Sequence, residues 1–224
     1  MYVYMIRSKK HSHIFIADLS QELKLRLRVI GFGLIAGLIS SIGISTLIVM
    51  VEKVTAIPAG AFYLVLMSSI TQSHLYSIYV IIAGLLLHFV AGSFIGLVMA
   101  IPFALHIKNN KPNTASTICK YAPIYGVCFG FALWIFLFVP LTYSTVLPAI
   151  NNIKEAPIIT QQDPTGRIVS LVIGDILSLQ NNIIFGALAF NMFYGLVAAI
   201  IINSLYTNYL YRKGPFKDMG GLSR

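Results

Sequence analysis

Four stretches of this sequence are long and apolar enough to cross a lipid bilayer, and they constrain the fold more than any other feature. An α-helix needs about 20 apolar residues to span the hydrocarbon core. The stretches cover residues 29–52, 75–103, 121–147 and 183–210. Of 224 residues, 57% are hydrophobic and 10% are charged, whereas soluble domains carry about 25% charged residues. The sequence therefore predicts an all-α integral membrane protein, built as a four-helix transmembrane bundle.

Two shorter apolar runs separate these spans, at residues 56–70 and 168–179. Both are shorter than a spanning helix, so we expect two short non-spanning helices on the outer side. The second run belongs to a long outer connection, residues 148–182, and it contains Asp175. Asp175 is one of the polar candidates for function, and its alternative roles are a helix cap or a solvent-facing position.

The basic residues predict the orientation of the chain. Thirteen of the 16 Lys and Arg residues lie before the first span, between spans two and three, or after the fourth. Cytoplasmic segments carry such an excess. We expect both termini in the cytoplasm and the chain in the plasma membrane. Three regions result: a basic N-terminal segment (1–28), a single transmembrane domain (29–211) and a C-terminal tail (212–224). The formal net charge of +9 then indicates contact with anionic lipids rather than with nucleic acid.

Small residues recur at steps of four in every span. Such spacing keeps them on one face, where small side chains let two helix backbones approach closely. We expect a packing seam on each span, and a compact bundle. The glycines predicted to line these seams are Gly33, Gly37, Gly84, Gly92, Gly96, Gly126, Gly130 and Gly195.

The two halves of the chain also resemble each other. Each half is predicted to contain an outgoing span, a short apolar segment on the outer side and a returning span. The returning spans share a spacing, with His88, Gly92 and Gly96 matched by Asn191, Gly195 and Ala199. Both halves run in the same direction, which would make this a parallel 2+2 internal repeat.

His88 lies in the middle of the second span, with no charged residue nearby in sequence. An ionisable group inside the membrane is a functional candidate by default. The alternative is a neutral imidazole that hydrogen-bonds a neighbouring helix, and this interpretation is favoured because Asn191 holds the equivalent position and cannot carry a proton. Asn203, on the same face of the fourth span as Asn191, is the remaining intramembrane polar candidate.

The sequence has no Gly-x-Ser-x-Gly elbow, phosphate-binding loop or His-Glu-x-x-His motif. No two of the five histidines share a helical face with a carboxylate at ligand spacing. We therefore expect no catalytic residues, no cofactor and no metal site in this chain, although an enzyme remains open.

A resemblance adds to this interpretation. Pro58-x-Gly60-x-Phe62-Tyr63, together with the helix from His88 through Gly92 to Gly96, resembles small four-span archaeal membrane proteins. Some proteins of that kind resemble accessory subunits of archaeal ammonia monooxygenase, a copper membrane enzyme. The resemblance covers about residues 30–105 and transfers no catalytic residue. It implies a non-catalytic subunit that contacts other membrane subunits.

Three functions compete at this point. The first, which we favour, is a structural or accessory subunit of a larger membrane complex, with that monooxygenase as the candidate complex. The second is a small channel or transporter for a small solute. Transport of ions usually leaves several buried charged groups, whereas transport of a neutral solute would leave fewer. The third, an intramembrane enzyme, ranks last.

Overall fold

The computed structural model describes residues 2–55, 59–71, 78–105, 112–148, 157–162, 168–172 and 180–213. It contains α1 (Tyr2–Val54), α2 (Ala61–Thr71), α3 (Ile78–Leu105), α4 (from Pro112), β1 (Pro157–Gln162), β2 (Ile168–Val172) and α5 (Gln180–Lys213). Four segments of these helices are long and apolar enough to cross a membrane: Leu23–Val54, Ile78–Leu105, Lys120–Ser144 and Ile184–Tyr209. The prediction of four apolar membrane-spanning helices is therefore confirmed at this level.

The first helix is much longer than a membrane crossing requires. α1 contains 53 residues, about 80 Å at 1.5 Å per residue, whereas the hydrocarbon core of a bilayer is about 30 Å thick. The basic segment that precedes the first span is thus a continuation of the spanning helix.

The fourth helix changes its winding near a proline. α4 is α-helical from Pro112 to Leu133, and it continues through π turns at Trp134–Phe138 and Thr142–Val146, on either side of an α turn at Val139–Leu141. Pro140 has no N–H to donate and its ring crowds the preceding turn. Such disruption of the hydrogen-bond ladder is a common origin of π turns inside helices.

The second short apolar run is not helical where the structure describes it. Ile168–Val172 forms strand β2, which pairs antiparallel with β1. The prediction of a short helix over 168–179 is therefore wrong for its first five residues. Short apolar runs suit a strand or a buried helix equally well by periodicity, and here three of the five residues are β-branched, which favours a strand. The first run does contain a helix, α2.

α1 occupies the centre of the bundle. It packs against both α3 and α5, while α4 packs against α5. The core between these helices is formed by fully buried apolar side chains: Val29, Ala36, Met99, Ala100, Ala198, Ala199 and Ile202. α2 packs on α3, and it also contacts the second π turn of α4. The helices thus form two antiparallel pairs, α1 with α3 and α4 with α5, joined mainly along α1 and α5.

Candidate functional site

The first helix pair meets along glycines on both sides. A Cβ placed on Gly96 would lie 2.6 Å from the Cα of Gly37 and 2.7 Å from its nitrogen. Gly33 faces the carbonyl of Gly96, and Gly92 faces Ser41. These separations are shorter than real Cβ contacts, so only glycine permits the approach. We call this contact the first seam.

The second helix pair uses the same arrangement. A Cβ on Gly126 would lie 2.8 Å from the carbonyl carbon of Gly195, and a Cβ on Gly195 would lie 2.9 Å from the nitrogen of Gly130. A Cβ on Gly130 would lie 2.7 Å from the carbonyl carbon of Asn191. This is the second seam. Both seams bring backbone against backbone, which small residues at steps of four make possible.

Gly84 packs against a different neighbour from the other glycines of α3. A Cβ at this position would lie 2.8 Å from the carbonyl oxygen of Tyr63 and 2.9 Å from Cγ of Met67. Both neighbours belong to the short helix α2. The small-residue face of α3 is therefore shared, with its first turns covered by α2 and its later turns by α1.

Three aromatic side chains connect helices by hydrogen bonds to backbone carbonyls. The Tyr194 hydroxyl donates to the carbonyl of Gly92 at 2.5 Å, and the Tyr125 hydroxyl donates to that of Met99 at 3.1 Å. The Trp134 indole N–H donates to the carbonyl of Ile184 at 2.9 Å. The sequence reasoning did not find these contacts. A signal was present, because each of the two tyrosines directly precedes a glycine of the second seam.

The asparagines predicted as polar candidates lie on α5. Asn191 donates from Nδ2 to the carbonyl of Ala187 at 2.8 Å, within its own helix. Its contact across the second seam is made by the backbone, against Gly130. Asn203 is half-buried. Asp175 lies outside the described residues.

Glu52 is a buried carboxylate that the sequence reasoning did not select. It is 5% exposed, and its two oxygens accept hydrogen bonds from the backbone nitrogens of Gly60 at 2.7 Å and Phe62 at 2.8 Å. These nitrogens are at the start of α2, where N–H groups lack partners within the helix. Gly60 adopts a φ of +88°, which favours glycine. Glu52 therefore fixes the start of α2 against the end of α1.

His88 lies beneath the side chain of Tyr63. The two ring centroids are 5.8 Å apart in an edge-on arrangement, and the ring of Phe89 is 6.3 Å away. The backbone of Ser41 on α1 is the hydrogen-bonding neighbour of the imidazole, and it is the kind of partner expected on another helix. Nε2 of His88 is buried and has no hydrogen-bond partner among the described residues.

Tyr63 also presents an unpartnered group at this position. It is 2% exposed, and its hydroxyl makes no hydrogen bond to any described residue. Burial raises the pKa of Tyr63; the neighbouring Ser45 hydroxyl lowers it by a smaller amount, and nearby Glu52 raises it by less still. The hydroxyl therefore keeps its proton and remains a donor.

Within the described ranges, no three His, Cys, Asp or Glu residues lie close enough together to hold a metal ion. No protein-family model, curated protein or solved structure matches this chain. The site is thus defined by its geometry alone. It consists of two glycine seams, aromatic hydrogen bonds between helices, and a polar cluster formed by Tyr63 on α2 and His88 on α3 next to Ser41 on α1.

Proposed function

We propose that this chain is a non-catalytic structural subunit of a larger membrane protein complex. The observation that carries the proposal is the use of its intramembrane polar side chains. Many donate to a backbone carbonyl of the bundle: Ser41, Ser45, Ser93, Tyr125, Trp134, Asn191 and Tyr194. Three of these bonds, from Tyr125, Trp134 and Tyr194, join two helices. The other four lie within a single helix. Side chains bonded in either way are not available to line a path for a solute.

The seams support a structural role for a second reason. A channel needs space between its helices, whereas the two seams place backbone atoms of facing helices in contact at mid-span. The alternative function, a small channel or transporter for a small neutral solute, would have to use another interface of the bundle. The polar cluster at His88 is the feature that favours this alternative.

The hairpin β1–β2 supplies a means of contact with a partner. Among the described residues each strand pairs only with the other, so each has one edge with unpaired backbone groups. A two-stranded hairpin is marginally stable by itself, and an open edge readily adds a further strand. We propose that a neighbouring subunit adds a strand to this hairpin on the outer side of the membrane.

The orientation is part of the proposal. Both termini lie in the cytoplasm of the cell, at the plasma membrane. Aromatic and basic residues meet at the end of the bundle that this orientation places inside: Arg28 donates to the Tyr209 hydroxyl and lies 5.1 Å from its ring, and Lys120 lies 5.8 Å from the ring of Tyr121. Such residues are typical of the membrane interface, where anionic lipids are the proposed partners. Reporter fusions at Asn110 and Arg224 should report cytoplasm, and a fusion at Gln161 the outside.

A parallel repeat accounts for the two seams in this proposal. Each half pairs its outgoing and returning helices through glycines, Gly37 with Gly96 in the first and Gly126 with Gly195 in the second. For the parent complex, the resemblance of residues 30–105 makes an archaeal ammonia monooxygenase the first assembly to test.

Purification from native membranes tests the proposal. The tagged chain should run within an assembly much larger than its own 24.7 kDa, with fixed stoichiometry. Replacing residues 157–172 by a Gly/Ser linker of equal length should release the chain from that assembly while leaving the melting temperature of the bundle unchanged. Gly186→Ala is the matched control, because nothing lies within 4 Å of a Cβ there.

A native chain that runs alone would contradict the subunit proposal. If the purified chain also speeds the passage of glycerol or urea across liposome membranes, that result would support the channel alternative. An assembly that survives the linker replacement would show that the partner binds elsewhere.

A further inference from the structure

Two buried polar groups without partners lie side by side between α1, α2 and α3. The hydroxyl of Tyr63 and Nε2 of His88 each lack a hydrogen bond to any described residue. Their rings lie 5.8 Å apart. In a membrane protein an unpaired polar group costs several kcal/mol, because no bulk water is present to bind it. Two such groups at one place indicate a shared partner that is not part of the chain.

Both groups face the same turn of α1. Tyr63 faces Ser45, and His88 faces the backbone of Ser41. Ser45 directs its own hydroxyl to the carbonyl of Ser41 at 2.8 Å, and Ser41 directs its hydroxyl to that of Gly37 at 2.8 Å. The serine protons are therefore used within α1. Neither serine has a proton left to donate to the phenol or to the imidazole.

The surroundings restrict the charge of a bound molecule. The closest carboxylate, Glu52, already accepts backbone hydrogen bonds on both oxygens, and the neighbouring Lys53 is exposed. An anion would find no cationic side chain among the described residues of the cluster, and no described group of three ligands could hold a metal ion. An uncharged molecule remains, one that both donates and accepts hydrogen bonds.

We propose that α1, α2 and α3 enclose a binding site for one small uncharged hydrogen-bonding molecule, bridging the Tyr63 hydroxyl and His88 Nε2. Water is the simplest molecule of this class and the probe for the test. The bridge fixes α2 to α3 at a second point, one helical turn beyond its contact with Gly84. The site is independent of the proposed subunit role, and either proposal can fail alone.

The sign of a stability change tests the site. Tyr63→Phe removes one partner of the bound molecule, so it should lower Tm by about 2–4 °C, as expected for one hydrogen bond in a chain of this size. His88→Phe should do the same, and the double variant should lose no more than the larger single loss. If the hydroxyl is simply unpaired, Tyr63→Phe removes a desolvated group and raises Tm. A rise, no change, or additive losses would overturn the proposal.

Radiolytic labelling in H₂¹⁸O tests the wild-type chain without any substitution. Water bound at the cluster should transfer ¹⁸O to Tyr63 several-fold more than to Tyr194, although Tyr63 is the more deeply buried, at 2% against 7% exposed. Tyr194 is the matched control, because its hydroxyl is already bonded to a carbonyl. Equal labelling of the two tyrosines would overturn the proposal.

Discussion

The two helix pairs share a contact and differ at their outer ends. In both, glycines on facing helices bring backbone against backbone, as between Gly37 and Gly96 and between Gly126 and Gly195. Beyond the first seam, α3 is covered by α2 through Gly84 and His88. Beyond the second seam, α4 unwinds into π turns, and Trp134 bonds across to α5. The small-residue pattern therefore defines how two spans meet, and it leaves open what covers them.

The pairs also differ in how they use polar groups. In the second pair, the side chains of Asn191 and Trp134 donate to carbonyls of α5. In the first pair, His88 retains a buried nitrogen with no described partner. The second pair thus satisfies these polar groups within its own helices. In the first pair, buried polar groups without a described hydrogen-bond partner lie beneath α2. The first pair is therefore the more informative half for function.

The largest expected effect comes from the feature that the pairs share. Gly37→Leu and Gly195→Leu should each lower the free energy of unfolding by about 3 kcal/mol, because the new side chain would push apart backbones in contact. Folded yield and Tm in mild detergent measure this. Gly43→Leu and Gly186→Leu are matched controls in the same helices, where a Cβ meets nothing within 4 Å. Val98→Leu, at an exposed position, should also be tolerated.

Equal losses at seam and control glycines would show that the seams do not carry the packing. A large loss in one pair alone would show that the likeness between the pairs is only one of sequence.

A second effect should be confined to the first pair. Glu52→Ala removes the acceptor of two backbone N–H groups at the start of α2, so it should cost about 2 kcal/mol. Hydrogen exchange in α2 should rise, while exchange in α5 stays unchanged. Lys53→Ala, at the adjacent exposed position, serves as control. Faster exchange throughout both pairs would mean that α2 is part of the common core and not a separate cover.

The smallest effect tests the bonds that join the pairs. Tyr194→Phe removes the hydrogen bond to Gly92 and should cost about 1 kcal/mol. Tyr125→Phe should cost less, because its bond to Met99 is longer, at 3.1 Å against 2.5 Å. Tyr143→Phe is the control, since Tyr143 is exposed. Chemical denaturation resolves differences of this size. The reverse order for Tyr194 and Tyr125 would contradict the hydrogen-bond geometry.

The spans and the seam glycines could be predicted from sequence because each depends only on residues that are close together in the chain. The length of an apolar stretch shows that it can span the membrane, and a spacing of four residues places small side chains on one helix face. Gly96 and Gly126 could therefore be assigned to a packing face without knowing their neighbours. The partner of Gly84 could not be found in this way, because α2 and α1 both lie against α3 and the sequence does not say where one replaces the other.

Other features depend on the assembled chain. In the sequence, Glu52 looks like an ordinary charged residue at the end of a span. Only the folded chain brings the backbone nitrogens of Gly60 and Phe62 to its oxygens. Tyr125 and Tyr194 stand beside seam glycines, yet their carbonyl partners lie on another helix, α3, at separations of 26 and 102 residues. Such contacts are set by how the pairs are arranged, which a local pattern does not record.

The π turns of α4 have a consequence for the rotational phase of that helix. In an α-helix, every step of four residues advances the side chain by about 40°, so a row begun at Gly126 would point nearly the opposite way after four steps. A π turn closes between residues i and i+5 and rotates the chain less per residue, which reduces the drift beyond Trp134, where the first π turn begins. Trp134 itself, two steps after Gly126, has turned by about 80° and bonds to α5. Thr142, four steps after Gly126, is kept near the direction of Trp134 by this π turn, and it is buried. The buried face of α4 thus continues as far as the π turn that contacts α2.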